Sequence, residues 1–94
     1  MFYTYIIYST KLDRYYTGSC DNREERLLEH NSGISKFTAK ASDWIAVYHE
    51  EYNTRPEALH RERQIKRKKS RRYIEWLIEC KRAAGFTSMR YVIE

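Results

Sequence analysis

The residues able to act on a phosphate ester fall at a few places in the 94-residue chain. Hydrolysis of a phosphodiester needs an activated water, a cation at the phosphate, stabilisation of the developing charge and a proton for the leaving oxygen. Arg26 and His30 are four residues apart in a helical pattern, so they share one face. Arginine can grip phosphate oxygens through two parallel N–H groups, and a histidine can donate to a phosphate or hold a hydroxyl. A plainer reading makes them a surface arginine and a polar histidine favoured by the helix dipole.

Glu62 is more telling. At 100° per residue, Ala58, Glu62, Ile65 and Lys69 fall in one narrow sector. A carboxylate on an apolar stripe needs a partner or a metal. Mg²⁺ is often held by one carboxylate plus waters and substrate phosphate; an ion pair with Arg26 or Lys66 would satisfy Glu62 equally, and both readings stay open. Tyr5 and Tyr16 stand in consecutive strand-like segments, so in a hairpin their rings are at most diagonal neighbours. A phenol beside a cation can act as a base or a bridge, although a chain with nine tyrosines uses most of them as core and rim aromatics.

Charge points to a phosphate-rich partner. Residues 55–72 hold nine Lys or Arg and two Glu, a net of +7, so the remainder of the +5 chain carries −2. Lys66, Lys68, Lys69, Arg71 and Arg72 are expected to track a DNA backbone, with Lys36 as a further contact. The competing reading is a solvated basic helix junction. Phe37 and Tyr15 could stack on an unpaired base; Trp44, Trp76 and Phe37 otherwise read as core.

The elements that must position these groups follow from pattern. Residues 3–9 and 15–20 are aromatic and β-branched and read as paired strands around a short polar loop. Gly18, inside the second, marks a bulge or a close approach. Asp21 reads as a helix N-cap with Glu24 three residues on; that helix runs through His30 and ends at Asn31-Ser32-Gly33. A polar loop covers 34–42 and a third strand 44–52. Thr54-Arg55-Pro56-Glu57 is a capping box with proline in the first turn, opening a basic helix to about Lys69. Ser70 caps a last helix whose Tyr73, Ile74, Trp76, Leu77 and Cys80 form an apolar stripe, with Gly85 expected to end it. Tyr91-Val92-Ile93 in the tail reads as a short edge strand or as loosely ordered. The order β-β-α-β-α-α predicts an α+β fold, a three-stranded antiparallel sheet flanked by helices, with a domain over 1–84 and a tail over 85–94.

A hydrophobic fraction of 41% with one proline and three glycines is that of a globular chain. No run of about 18 apolar residues is present and the N-terminus has no signal-peptide pattern, so the expectation is a cytoplasmic protein without a membrane span. Cys20 and Cys80 lack metal-ligand spacing and read as free thiols.

Together these residues resemble the GIY-YIG nuclease module. Its two tripeptides would be Tyr3-Thr4-Tyr5 and Tyr16-Thr17-Gly18, with tyrosines eleven apart. Arg26 stands eight residues after Gly18, where the family has its catalytic arginine, and His30 follows four later. Glu62, in Glu62-Arg63-Gln64-Ile65-Lys66, matches the family's metal-binding glutamate. The likeness covers about residues 2–80 and is closest to small stand-alone bacterial members, through Tyr16-Thr17-Gly18, His30-Asn31-Ser32-Gly33 and Glu57-Ala58-Leu59. Tyr3 and Thr4 depart from the first Gly and Ile, which are backbone and core positions. No asparagine follows Asn53 to match the catalytic asparagine of some members.

The resemblance implies a DNA endonuclease dependent on Mg²⁺ or Mn²⁺, leaving 5′-phosphate and 3′-hydroxyl ends. Tyr5 would be the base or relay, Tyr16 and His30 would orient it and the phosphate, Arg26 would stabilise the transition state, and Glu62 would hold one metal ion. The alternative is a nucleic-acid-binding or partner-recruiting module on the same fold, without turnover. The nuclease needs Tyr5, Tyr16, Arg26, His30 and Glu62 in one cleft; the module needs only the basic stretch.

Overall fold

A computed structural model describes residues 1–33 and 38–87, with side chains up to Arg82. Two strands, β1 (Phe2–Ser9) and β2 (Arg14–Cys20), are followed by helix α1 (Arg23–Asn31), strand β3 (Ile45–Tyr52) and helices α2 (Arg55–Lys68) and α3 (Arg71–Thr87). The sheet order is β2-β1-β3 with both pairings antiparallel, so the fold is α+β in the expected order. Among the described residues no helix is long and apolar enough to cross a membrane.

The period of two along a strand divides β1 between two cores. Tyr5 and Ile7 pack with Cys20 and Trp44, and with Leu27 of α1. Ile6 packs on the opposite face with Ile65 of α2 and Leu77 of α3. Ile6 and Ile7 are both essentially buried, as expected of the central strand. A shift in the β1–β3 register between Ile6 and Ile7 adds a bulge there.

Helix ends explain where the elements start. Asn22, not Asp21, caps α1: its backbone is extended and its side chain accepts from Glu25 N–H at 3.1 Å. The expected cap was one residue early because Asp21 and Asn22 are both competent N-caps followed three residues later by a glutamate. Gly33 takes φ +83° just after α1. Thr54 and Glu57 form the expected capping box of α2, which ends at Lys69 in a left-handed conformation, and Ser70 Oγ then accepts from Tyr73 N–H at 3.1 Å.

Three features of α3 and β3 differ from expectation. α3 continues through Gly85 to Thr87; a single glycine costs a helix only about 1 kcal/mol. Trp76 is 57% exposed and stacks on Tyr73 instead of joining the core, and Cys80 is exposed too. The buried face of α3 follows Tyr73, Ile74 and Leu77, and Trp76 lies about 100° off Leu77. Trp44 precedes β3 and is core. Residues 91–93 and Phe37 lie outside the described residues.

Two bonds fix α2 on the sheet. Buried Thr4 donates from Oγ1 to the Ala58 carbonyl at 2.7 Å. Arg61 donates to both oxygens of Glu50 on β3, at 2.9 and 3.2 Å. Burial raises the Glu50 carboxyl, but hydrogen bonds from Arg61, Tyr48 and Tyr52 outweigh it and hold Glu50 below the usual glutamate range.

Gly18 is paired across the sheet with Tyr5, and an added Cβ would stand 2.5 Å from Tyr5 Oη and 2.7 Å from its Cζ. The close approach predicted for this glycine is therefore made by a tyrosine ring. Gly18→Ala should cost about 1–3 kcal/mol, as overpacking does, and should displace the phenol. Urea unfolding checks the first and the environment of Tyr5 in NMR spectra the second. An unchanged midpoint would mean the ring moves freely and Gly18 does not set its place.

Candidate active site

Four of the expected residues come together on the α1 face of the sheet. Tyr16 pairs with Ile7, two positions along the ladder from the Tyr5–Gly18 pair, so the two tyrosines are diagonal neighbours. Both rings meet the His30 imidazole: Tyr5 at 5.9 Å between centroids and Tyr16 at 5.1 Å, edge-on. The last turn of α1 brings His30 into this pocket, where it is fully buried.

A series of hydrogen bonds joins them. Arg26 Nε donates to Tyr5 Oη at 3.4 Å, Tyr5 Oη meets His30 Nε2 at 2.8 Å, and His30 Nδ1 meets Thr38 Oγ1 at 2.7 Å. Burial, then the charge of Arg26, pushes His30 below the ordinary histidine value, so the ring is neutral near pH 7. The Tyr5 oxygen already accepts from Arg26, and its own proton has His30 Nε2 as partner. The network thus assigns the ring hydrogen to Nδ1, donating to Thr38. Burial pushes the Tyr5 phenol up to about 12 despite Arg26 beside it. The bond to Tyr5 in turn raises Arg26 above the normal guanidinium range, with Glu29, 2.9 Å from Nη1, adding to it.

Thr38 is held in place by the segment before β3. Asn31 accepts from Trp44 N–H at 2.7 Å and donates to the Trp44 carbonyl at 3.0 Å, while the Trp44 indole donates to the Thr38 carbonyl at 2.9 Å. Sequence reasoning missed Thr38 and the Asn31 clamp. Asn31 lay within a quoted string, but nothing local links Thr38 to a histidine eight residues earlier.

Glu62 is the member set apart. It lies between buried Ala58 and Ile65, with its side chain 16% exposed, and α2 packs on the other face of the sheet. Its partner is Lys66, 2.7 Å away, not Arg26, which pairs with Glu29. Lys66 Nζ also lies 5.4 Å from the centre of the Tyr16 ring, so Glu62 connects to the tyrosines through Lys66. Among the described residues no three His, Cys, Asp or Glu side chains converge on a metal position, which leaves no cage built from protein alone. A single, largely buried carboxylate does suit a hard cation that keeps its waters and takes its other oxygens from a phosphate. The residues fit Mg²⁺ or Mn²⁺ in that form only, with Lys66 giving way or sharing the carboxylate.

The basic run is not one stripe, because the left-handed turn at Lys69 redirects it. Lys66, Lys69 and Arg71 line a cavity of about 550 Å³ with Tyr15 and Tyr16. Lys68 lies instead with Arg61 and Arg67 and sits 5.2 Å from the Tyr73 ring. Arg71 is committed to Asp13 at 2.7 Å and Glu75 at 3.0 Å, Arg72 is exposed, and Lys36 lies outside the described residues.

Comparison with known proteins bears on the family and the fold. The chain is 37% identical over 65 residues to a UPF0213 protein of Staphylococcus haemolyticus, covering 68% of this chain and 78% of the relative. It is 38% identical, over the same shares, to one from Staphylococcus saprophyticus. A UPF0213 protein of Bacillus halodurans solved by solution NMR superposes with a TM-score of 0.54 at 29% identity, covering 86% of each chain. The GIY-YIG catalytic domain matches residues 1–74, and with the nuclease-type fold and the Tyr5, Tyr16, Arg26 and His30 cluster in place, the chain belongs to the GIY-YIG family.

Proposed function

We propose that the protein is a DNA endonuclease that hydrolyses phosphodiester bonds with one Mg²⁺ or Mn²⁺ at Glu62. The observation that carries this reading is the hydrogen-bonded series from Arg26 through Tyr5 and His30 to Thr38. Burying so many polar groups is costly unless each is satisfied, and a surface that only binds nucleic acid has no need of it.

The series is suited to moving a proton. With Tyr5 near 12, a free phenolate at pH 7 would cost about 7 kcal/mol. A relay avoids that species: the attacking water gives a proton to Tyr5 Oη while the Tyr5 proton passes to His30 Nε2. The path reverses to protonate the leaving 3′-oxygen, giving a 5′-phosphate and a 3′-hydroxyl. Arg26 and Tyr16, only half-buried, open this series to solvent. Arg26 uses Nε on Tyr5 and Nη1 on Glu29, leaving Nη2 for a phosphate oxygen as charge builds. Glu62 would hold the cation, which would neutralise charge on the scissile phosphate. Two observations favour the non-catalytic module: Glu62 stands on the α2 face, apart from the other four residues, and Lys66 already satisfies it without a metal.

Four measurements test the reading. Glu62→Gln should stay folded and bind DNA but cut about 10²–10³ times more slowly, the scale of losing one charge-stabilising group; a variant as fast as wild type removes the metal assignment. Wild-type protein that cuts neither single-stranded, duplex nor branched DNA with either metal would leave the binding module. The pH profile follows from the two shifts. Neutral His30 must accept the proton, and its lowered pKa means activity is full at neutral pH and lost only as pH falls below about 6.5. Tyr5 loses no proton below about pH 11, so the rate should stay level from 7 to about 10. A rate rising through that range would instead make the Tyr5 phenolate the base. For binding, Lys69→Ala should flatten the log Kd against log salt slope by about 0.7–0.9, one phosphate contact; an unaltered slope would take the DNA path away from Lys69.

A further inference from the structure

We infer that the cavity between β2 and the α2–α3 junction is a subsite for one unpaired nucleotide of a DNA strand, beside the phosphate to be cut. The inference rests on the proposed nuclease reading and narrows its substrate to DNA with an unpaired nucleotide next to the cleavage point. At about 550 Å³ the cavity falls in the range of small-ligand pockets. Its lining includes the aliphatic Ile65 and Ile74 and the aromatic Tyr15 and Tyr16. The Arg71 guanidinium lies 5.1 Å from the centre of the Tyr15 ring, and Asp13 and Glu75 hold that guanidinium in turn.

The cations in the lining differ in their commitments. Lys66 and Arg71 are already paired, whereas Arg14 and Lys69 make no side-chain hydrogen bond or ion pair among the described residues. A lining of aliphatic and aromatic residues with two uncommitted cations suits a ligand that is flat and apolar in one part and anionic in another. A nucleotide is such a ligand, and base stacking on aromatic side chains tolerates every base. In a paired duplex the base faces are closed by stacking and only edges and phosphates are open, so a cavity lined by Ile65 and Ile74 receives no base face. Tyr16 and Lys66 belong to both the cavity and the candidate active site, which places the held nucleotide next to the reacting phosphate. The neighbouring cleft of Arg61, Gln64, Arg67, Lys68 and Tyr73 has no aliphatic residue in its lining and does not include Tyr16.

The test reads binding without cleavage. The Glu62→Gln protein, in chelator, is titrated with short oligonucleotides carrying 2-aminopurine at successive positions. These are presented as a single DNA strand, as the same strand fully paired, and as the matching RNA strand. The expected result is a fluorescence change confined to one or two positions of the single DNA strand and absent from the duplex. Adding Ile74→Trp, which fills the cavity, should weaken single-strand binding about five- to a hundredfold, the worth of one stacked base, with duplex binding changed less than about twofold. If Ile74→Trp does not fold, as judged by circular dichroism, Ile74→Gln puts a polar side chain in the lining and reads the same contrast. Equal weakening of both DNA forms, no weakening of either, or no fluorescence change at any position would overturn the subsite, and tighter holding of RNA would overturn the choice of DNA. A protein that shows the single-strand signal but never cuts keeps the subsite and loses the nuclease reading; one that cuts without the Ile74 contrast does the reverse.

Discussion

The ring of Tyr5 resting on Gly18 is the contact from which the candidate site is built. Only a residue without Cβ leaves room there, since a methyl group would stand 2.5 Å from the phenolic oxygen. With the ring on the sheet, Tyr5 Oη reaches His30 at 2.8 Å and lies within reach of Arg26. One cross-strand pair thereby sets the distance from β1 to α1, and with it the rotation of α1 that turns His30 inward and leaves Arg26 at the rim. The β1–β2 register then gives Tyr16 its place without further adjustment, because two residues along a strand return to the same face.

Charge is divided between the two faces of the sheet. On the α1 side the buried groups are neutral: a phenol that keeps its proton, an imidazole kept uncharged by burial and Arg26, and a threonine hydroxyl. The cation serving them, Arg26, is partly exposed and balanced by Glu29. On the α2 side the largely buried carboxylates of Glu50 on β3 and Glu62 on α2 each meet a cation of α2, Arg61 and Lys66. The α1 side thus holds its buried groups without charge, whereas the α2 side holds its carboxylates against cations of α2.

Much of this was legible because local spacing becomes geometry by rule. Tyrosines eleven apart around a short turn become diagonal neighbours, a separation of four puts Arg26 and His30 on one side of a helix, and the capping box of Thr54 and Glu57 fixes the phase that sets Glu62 between Ala58 and Ile65. The same rules misplaced what depends on competition between equals or on tertiary contact. Asp21 and Asn22 are both good caps, and only the path from β2 selects Asn22. Trp76 shares a hydrophobic pattern with Tyr73 and Leu77, yet exposure depends on where the sheet ends beneath α3. Two ion-pair partners were open to Glu62, and the sheet between α1 and α2 leaves it Lys66 of its own helix, with Arg26 paired to Glu29 on the other face.

Thr38 marks the limit of such reading and explains why the segment before β3 is tied so closely. His30 has two ring nitrogens, and a buried neutral imidazole without a partner on one of them would cost about 1–3 kcal/mol. Tyr5 serves Nε2, so Nδ1 must find its acceptor in another part of the chain, and Thr38 supplies it. The Trp44 indole grips the Thr38 carbonyl, and Asn31, adjacent to His30 in sequence, grips the Trp44 backbone. The loop of bonds closes on itself, from His30 through Thr38 and Trp44 back to Asn31. Truncating any member leaves a buried partner unsatisfied, so losses within this ring should not add. The tautomer that lets His30 accept a proton from Tyr5 is therefore maintained by backbone geometry more than ten residues away, which no pairwise motif in the sequence could carry.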